Sequence, residues 1–317
     1  MHFLSSRWVQ IGISLGLFAL LFYIIDVGAF VQQLRGIRFE FFTLALIGYL
    51  LSQVFSGYKW QVLARPFGFL QPLRTFVVYY FVGMYLNLFA PSTVVGDVGR
   101  GVLLAANSGR TAAALHSVVA DRASGFVMLL WVSTTGFFLF GARVLPPVLC
   151  WGVTAAAIAA VVGWWGLPRI VESLFMPQHI ISRAVAKVIG PYRLQPAALG
   201  AACVISYIFH WFQLSLQVVL AHAVGLHVPF WYFVLFIPLV HIIGALPISF
   251  GGLGVREGGY VTFLALIGIG KDQALALGFL WSALVLLAGV IGGLVLLFSA
   301  EAKAVLTRTG QVSTPSC

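Results

Sequence analysis

Long uncharged stretches alternate with short basic clusters along this chain. Positions 8–25, 41–58, 75–96, 123–142, 144–168 and 273–300 contain no Asp, Glu, Lys or Arg, and 194–255 runs for 62 residues without one. An α-helix needs about 20 apolar residues to cross a hydrocarbon layer about 30 Å thick, so the longest run holds more than one element. Backbone groups in lipid have no water to bond to, and a helix satisfies them within its own segment. A barrel would show short alternating strands instead, and these runs are continuous. Six full spans are predicted, at 8–27, 39–58, 112–140, 146–167, 196–222 and 273–299. The first follows Arg7 with no small-residue cleavage site behind it, so it reads as a retained helix rather than a signal peptide.

Two segments, 75–106 and 229–268, do not divide into full spans. Each is interrupted by a Gly/Pro motif of similar plan, "FAPSTVVGDVGRG" at 89–101 and "LPISFGGLGVREGG" at 246–259. At 1.5 Å per residue, 98–106 rises only about 13 Å and 255–268 about 21 Å. Each segment reads as a re-entrant helical hairpin that turns inside the membrane and leaves on the side it entered. "SGRTAAAL" (108–115) and "IGKDQALAL" (269–277) then open the next long helix in each case. The predicted fold is an all-α polytopic membrane protein, with six full spans plus two oppositely oriented re-entrant hairpins in an inverted repeat. Residues 1–310 form a single transmembrane domain, with repeat one at 39–140, an amphipathic cytoplasmic linker at 169–195 and repeat two at 196–299. A disordered tail is expected at 311–317. In the linker, Ile181, Val185 and Val188 share one helical side and Arg183, Lys187 and Arg193 stand on others, which suits an anionic lipid surface.

The basic residues orient this scheme. With the N-terminus inside, Arg7, Lys59, Arg65, Arg74, Arg110, Arg169, Arg183, Lys187, Arg193, Lys303 and Arg308 are cytoplasmic, and only Arg35, Arg38, Arg143 and Lys271 lie outside. Cytoplasmic loops are enriched in Lys and Arg in this way. Both termini are then cytoplasmic. The tryptophans, among them Trp8, Trp60, Trp164 and Trp165, fit interfacial anchors.

Composition narrows the classes. Of 317 residues, 61% are hydrophobic and 8% charged, against about 25% charged in a soluble domain. The surface therefore faces lipid. The net charge of +10 fits basic loops against anionic headgroups, and no nucleic acid is expected. Cys150, Cys203 and Cys317 have no metal-type spacing, and His210, His222, His227 and His241 form no ligand cluster. Neither a metal nor a cofactor is expected. No nucleotide-binding, kinase or Ser-nucleophile motif is present.

Charges inside a bilayer cost about 2.5–3.5 kcal/mol each on insertion scales and usually mark a pathway. Six stand out: Asp97, Arg100, Asp121, Arg122, Arg256 and Glu257. Asp97 and Arg100 are one turn apart and can share a helix face. Asp121 and Arg122 lie about 15 Å into their helix, near the midplane. Arg100 and Arg256 offer guanidinium forks to a phosphate, helped by helix N-termini. The alternative for each is an internal salt bridge or a cap. Asn87 is placed to cap the broken helix after it, and His241 to reach a headgroup or to sit satisfied inside. The small-residue run "GVIGGL" (289–294) packs either a homodimer or the chain's own interior.

The motifs "NLFAPSTVVGDVGR" (87–100), "ALHSVVADR" (114–122) and "LPISFGGLGVREGG" (246–259) resemble those of the flippase-like transmembrane domain of lysylphosphatidylglycerol synthases, the multiple peptide resistance factor family. The resemblance spans about 8–300 and is that of a free-standing form without the soluble synthase domain. It implies a flippase in the bacterial cytoplasmic membrane, moving aminoacylated phosphatidylglycerol or a related anionic or zwitterionic phospholipid or lipid-linked sugar between leaflets. Asp97, Arg100, Asp121, Arg122, Arg256 and Glu257 match its motif charges. The family often has Glu where Asp97 stands, which changes reach but not charge. Partners are then membrane lipids and a lipid-synthesising enzyme. The rival readings are a membrane-embedded transferase with Glu257 or Asp121 as base, a small-solute or ion transporter, and a scaffold for a lipid-modifying enzyme.

Overall fold

The structure is a computed structural model that describes residues 15–16, 19–20, 23, 27–90, 94–106, 108–140, 147–174, 179–244, 249 and 252–299. Among these, the chain is all-helical, with eleven α-helices and no strand. They are α1 (Val27–Arg35), α2 (Phe39–Ala64), α3 (Leu73–Asn87), α4 (Val94–Ala105), α5 (Thr111–Phe140), α6 (Pro147–Leu174), α7 (Ile180–Leu194), α8 (Pro196–Ala223), α9 (Phe230–Gly244), α10 (Val255–Ala265) and α11 (Lys271–Phe298). A 3₁₀ turn, Arg65–Phe67, follows α2. The predicted first span, 8–27, lies for the most part outside the described residues, and the tail at 311–317 lies wholly outside them. So do Trp8 and the side chains of Trp164 and Trp165.

Local chemistry sets many of the boundaries. Pro147 and Pro196 open α6 and α8, where proline's missing N–H costs nothing and its fixed φ fits the helix. Asp97, Glu257 and Asp272 fall in the first turns of α4, α10 and α11, where a carboxylate meets the positive end of the helix dipole. Four helices, α2, α5, α8 and α11, are long and apolar enough to cross a membrane. Along α2, Leu44, Ile47, Leu51, Phe55 and Tyr58 recur every three or four residues and are 43–55% exposed. Such a stripe is suited to lipid, not to water.

The order of lengths occurs twice. Helices α2 to α5 have 26, 15, 12 and 30 residues, and α8 to α11 have 28, 15, 11 and 28. The inner pairs rise about 22 Å and about 16–18 Å at 1.5 Å per residue, less than the hydrocarbon layer.

By contacts the chain forms two compact units. Unit one is Met1–Ser52, Met84–Gly96 and Phe212–Gly293; unit two is Gln53–Gly83, Asp97–Trp211 and Leu294–Cys317. In unit one, α9 and α10 lie against each other. The Phe236 ring stacks on Phe263 at 5.7 Å and meets Tyr260 edge-on at 5.9 Å, and a Cβ added at Gly259 would fall 2.9 Å from Val240. Tyr260 donates to Gln217 of α8 at 2.8 Å, and Gln213, one turn earlier, donates to Ser52 at 2.8 Å. In unit two, Leu63, Ala120, Tyr192, Leu199 and Ala202 form a buried cluster. Tyr192 of α7 donates to the Leu63 carbonyl at 2.8 Å, which ties the linker helix to the end of α2.

The small-residue run of α11 is used inside the chain. A Cβ at Gly289 would lie 2.7 Å from Leu88, and one at Gly293 would lie 2.7 Å from Tyr85. Gly289→Leu is expected to cost about 1–3 kcal/mol through overpacking. It should lower the unfolding midpoint in detergent without changing oligomeric state by light scattering; a lost oligomer with an unchanged midpoint would reassign this seam.

Candidate functional site

The site lies in unit two and is built by four helices. The end of α2 supplies Lys59 and Trp60, α3 supplies Tyr80, α4 supplies Asp97 and Arg100, and α5 supplies Asp121 and Arg122. Arg100 is its centre, 2% exposed. Its guanidinium carbon lies 4.7 Å from the ring centres of both Trp60 and Tyr80, so two π faces meet the cation. Its Nη2 donates to Asp121 Oδ2 at 2.7 Å and lies 3.1 Å from Asp97 Oδ1. Its Nε donates to the same Asp97 oxygen at 3.2 Å. Trp60 is fixed in turn by its Nε1, which donates to Ser117 at 3.1 Å.

Each carboxylate joins two cations. Asp97 accepts both arms of Arg122, at 2.6 and 2.7 Å, as a fork-to-fork pair. Asp121 Oδ1 lies 2.9 Å from Lys59 Nζ, and Lys59 also donates to the Asp121 carbonyl at 3.0 Å. The result is one chain of charges, Lys59–Asp121–Arg100–Asp97–Arg122. It runs from a closed end, where the Lys59 side chain is 11% exposed and those of Asp121 and Arg100 are each 2% exposed, to an open one, where the Arg122 side chain is 48% exposed. A buried charge without a partner would be very costly, and here every charge has one.

Two sequence expectations are corrected by this geometry. Lys59 is not a loop cation beyond the end of a span. Helix α2 continues to Ala64, and Lys59 is 9% exposed. Trp60 is not an interfacial anchor but is fully buried, beneath Arg100. The missed signal is the stretch "YKWQVLARP", which is helix-compatible up to its Arg-Pro step. Pro66 has no N–H to continue the α-helical bonding, so the helix tightens into the 3₁₀ turn Arg65–Phe67 and stops at Gly68 (φ 77°); the lysine does not end it. Lys59 lies five residues before the end of α2, about 8 Å by rise, and Asp121 about 15 Å from the start of α5.

The remaining candidates belong to unit one. Asn87 Oδ1 accepts the Gly96 N–H at 2.8 Å, so this amide caps the first turn of α4. Glu257 is fully buried. Its Oε2 accepts the Gly254 N–H at 2.7 Å and its Oε1 accepts from Ser282 of α11. The Gly254 N–H at the N-terminus of α10 is thus taken by the chain's own carboxylate rather than offered to an outside anion. The stem of Arg256 lies against Gly244, where a Cβ would come within 2.7 Å of it. Gly252 has φ +78°, and a Cβ there would lie 2.6 Å from the Gly244 carbonyl, so only glycine fits. His241 stacks on Trp281 with ring centres 5.6 Å apart. No group of three metal-ligating side chains occurs among the described residues.

Helices of spanning length, a lipid-suited stripe along α2 and an internal chain of charges define a multi-pass membrane protein. The profile of the family described as Lysylphosphatidylglycerol synthase TM region matches residues 7–293, and the chain belongs to that family. The match is to the transmembrane part of those synthases, which points to a lipid-related membrane role rather than to the catalytic synthase domain. No match was found among curated proteins, and none among solved structures.

Proposed function

We propose that this protein moves a polar lipid between the leaflets of a bacterial cytoplasmic membrane, with both termini cytoplasmic. The headgroup is held at Asp97, Arg100, Asp121 and Arg122 while the acyl tails stay in lipid. The observation that carries this reading is the graded exposure of the charge chain, from Arg100 at 2% to Arg122 at 48%. A pair that served stability alone would need no open arm. The short inner helices α3, α4, α9 and α10, and the repeated order of lengths, support two re-entrant hairpins in an inverted repeat. That design places irregular backbone where it lines a cavity. Arg256, Glu257 and His241 are the second repeat's counterparts, with Glu257 bracing the turn. Movement runs downhill or draws on an ion or the membrane potential.

The transferase reading is weaker. Asp121 is held by two cations and both oxygens of Glu257 accept hydrogen bonds, so neither carboxylate is poised as a base. The test is leaflet exchange of a fluorescent phospholipid in proteoliposomes. An Arg100→Ala/Arg256→Ala protein should exchange lipid at least about tenfold more slowly, since one hydrogen bond to a charged group is worth about 1.5–3 kcal/mol. Equal rates would remove both arginines from the mechanism.

A further inference from the structure

The charge chain does not balance. Lys59, Arg100 and Arg122 carry three positive charges, and Asp97 and Asp121 carry two negative ones. No other Asp or Glu occurs anywhere in 53–83 or 97–140, the stretches that build the site. The surplus is one positive charge, and it arises from Lys59, which the six motif charges do not include. Asp97 and Arg122 cancel, so the surplus sits on Lys59, Asp121 and Arg100, whose side chains are 2–11% exposed; a net charge so shielded from water is unfavourable unless a counter-charge joins it. Arg100 Nη1 points to the same lack. It is buried, and no acceptor for it is found among the described residues, although the other two nitrogens of that guanidinium are engaged.

We infer that the surplus charge selects the substrate: a phosphodiester headgroup with one net negative charge, as on an anionic glycerophospholipid. The inference rests on the lipid-transport reading above and deepens it. A phosphodiester has two non-bridging oxygens: one accepts from the spare Arg100 Nη1, and the other from Arg122, whose Nε and Nη2 are held by Asp97. Bound beside Arg100 and Arg122, it brings the site to neutrality. A zwitterionic headgroup carries its own cation in with it and leaves the surplus uncancelled. Lysylphosphatidylglycerol, which the family resemblance alone would favour, carries two ammonium groups against one phosphate, so it is net positive and adds to the surplus. The order of preference is therefore anionic, then zwitterionic, then cationic. Free inorganic phosphate shares the recognised chemistry and is the competing source of it.

The experiment uses the full chain in proteoliposomes of fixed composition, with trace fluorescent phosphatidylglycerol, phosphatidylcholine or lysylphosphatidylglycerol, and separately with radiolabelled inorganic phosphate outside. Wild type should exchange phosphatidylglycerol about tenfold faster than phosphatidylcholine, the factor that about 1.4 kcal/mol supplies. Lys59→Met should bring that ratio to about one, and Lys59→Arg should restore it. Equal or inverted preference in wild type, or a ratio unchanged in Lys59→Met, overturns the inference. Phosphate uptake without lipid exchange overturns it in favour of a small anion. If no lipid exchanges, the transport reading fails by itself. The inference is then decided in detergent: phosphatidylglycerol should raise the unfolding midpoint of wild type more than phosphatidylcholine does, and no difference between the two sinks it.

Discussion

An Asp121→Asn protein is expected to lose about 3–5 kcal/mol of stability, the range seen when one partner of a buried ion pair is removed. The shape of the side chain is kept, so packing does not supply the loss. The carboxylate's two oxygens face Lys59 Nζ at 2.9 Å and Arg100 Nη2 at 2.7 Å. An amide keeps one acceptor and turns its NH₂ towards the other cation. Either Lys59 or Arg100 is then left with a donor facing it, in a site where Asp121 is 2% exposed. Adding Lys59→Met should recover part of the loss, and the coupling in a double-mutant cycle should reach about 0.5–3 kcal/mol. Unfolding by denaturant in micelles reads both values. A loss under about 1 kcal/mol would be that of a solvated surface pair and would mean that water reaches Asp121 freely.

The helical architecture was legible because the runs of uncharged residues are long and few constraints compete with them in lipid. The spans predicted at 112–140, 196–222 and 273–299 lie within a residue or two of α5, α8 and α11. The short pairs were legible for the converse reason, since glycine and proline interrupt a pattern that is otherwise uniformly apolar. Reading Lys59 as a mark of the interface puts the end of α2 at 58, six residues short of Ala64. That rule holds only when no carboxylate lies within reach, and here Asp121 sits 62 positions further along the chain. Linear spacing carries no trace of such a pairing. For the same reason the four motif charges of unit two could be named from the sequence, but not the order in which they link. Tyr80 and Trp60 left no signal either, because an aromatic ring that stacks on a cation and one that faces lipid are the same letter in an apolar run.

Glu257 shows a different limit. Its place in "GVREGG" suggested a salt bridge or a base, yet its two oxygens are spent on Gly254 and Ser282. The sequence signal for this was present: an acid at the third position of a helix is the usual reciprocal cap. The residue that begins that helix is a glycine, so the familiar Ser or Thr partner was missing and the pattern went unread. Unit one thus holds its motif acid for the fold, while unit two holds its acids for linking cations.

Arg100→Lys separates the shape of the central cation from its charge, and it is expected to slow leaflet exchange of phosphatidylglycerol by about 10–100-fold. The substitution keeps the positive charge, so the surplus on the network is unchanged. What it removes is reach and planarity. A guanidinium spans Asp97 and Asp121 at once while lying flat between the Trp60 and Tyr80 rings; an ammonium is a compact point charge and cannot do both. At least one hydrogen bond to a charged group is lost, at about 1.5–3 kcal/mol, which by itself accounts for that range. The same loss removes the spare Nη1 that a phosphodiester oxygen would take. The ratio of phosphatidylglycerol to phosphatidylcholine exchange should survive, because selectivity follows net charge and not fork geometry. Rate and ratio therefore move independently: Lys59→Met changes the ratio, and Arg100→Lys changes the rate. Wild-type exchange by Arg100→Lys would reduce Arg100 to a point charge and end the case for recognition through its spare Nη1. A lost ratio with a preserved rate would transfer selectivity from Lys59 to Arg100.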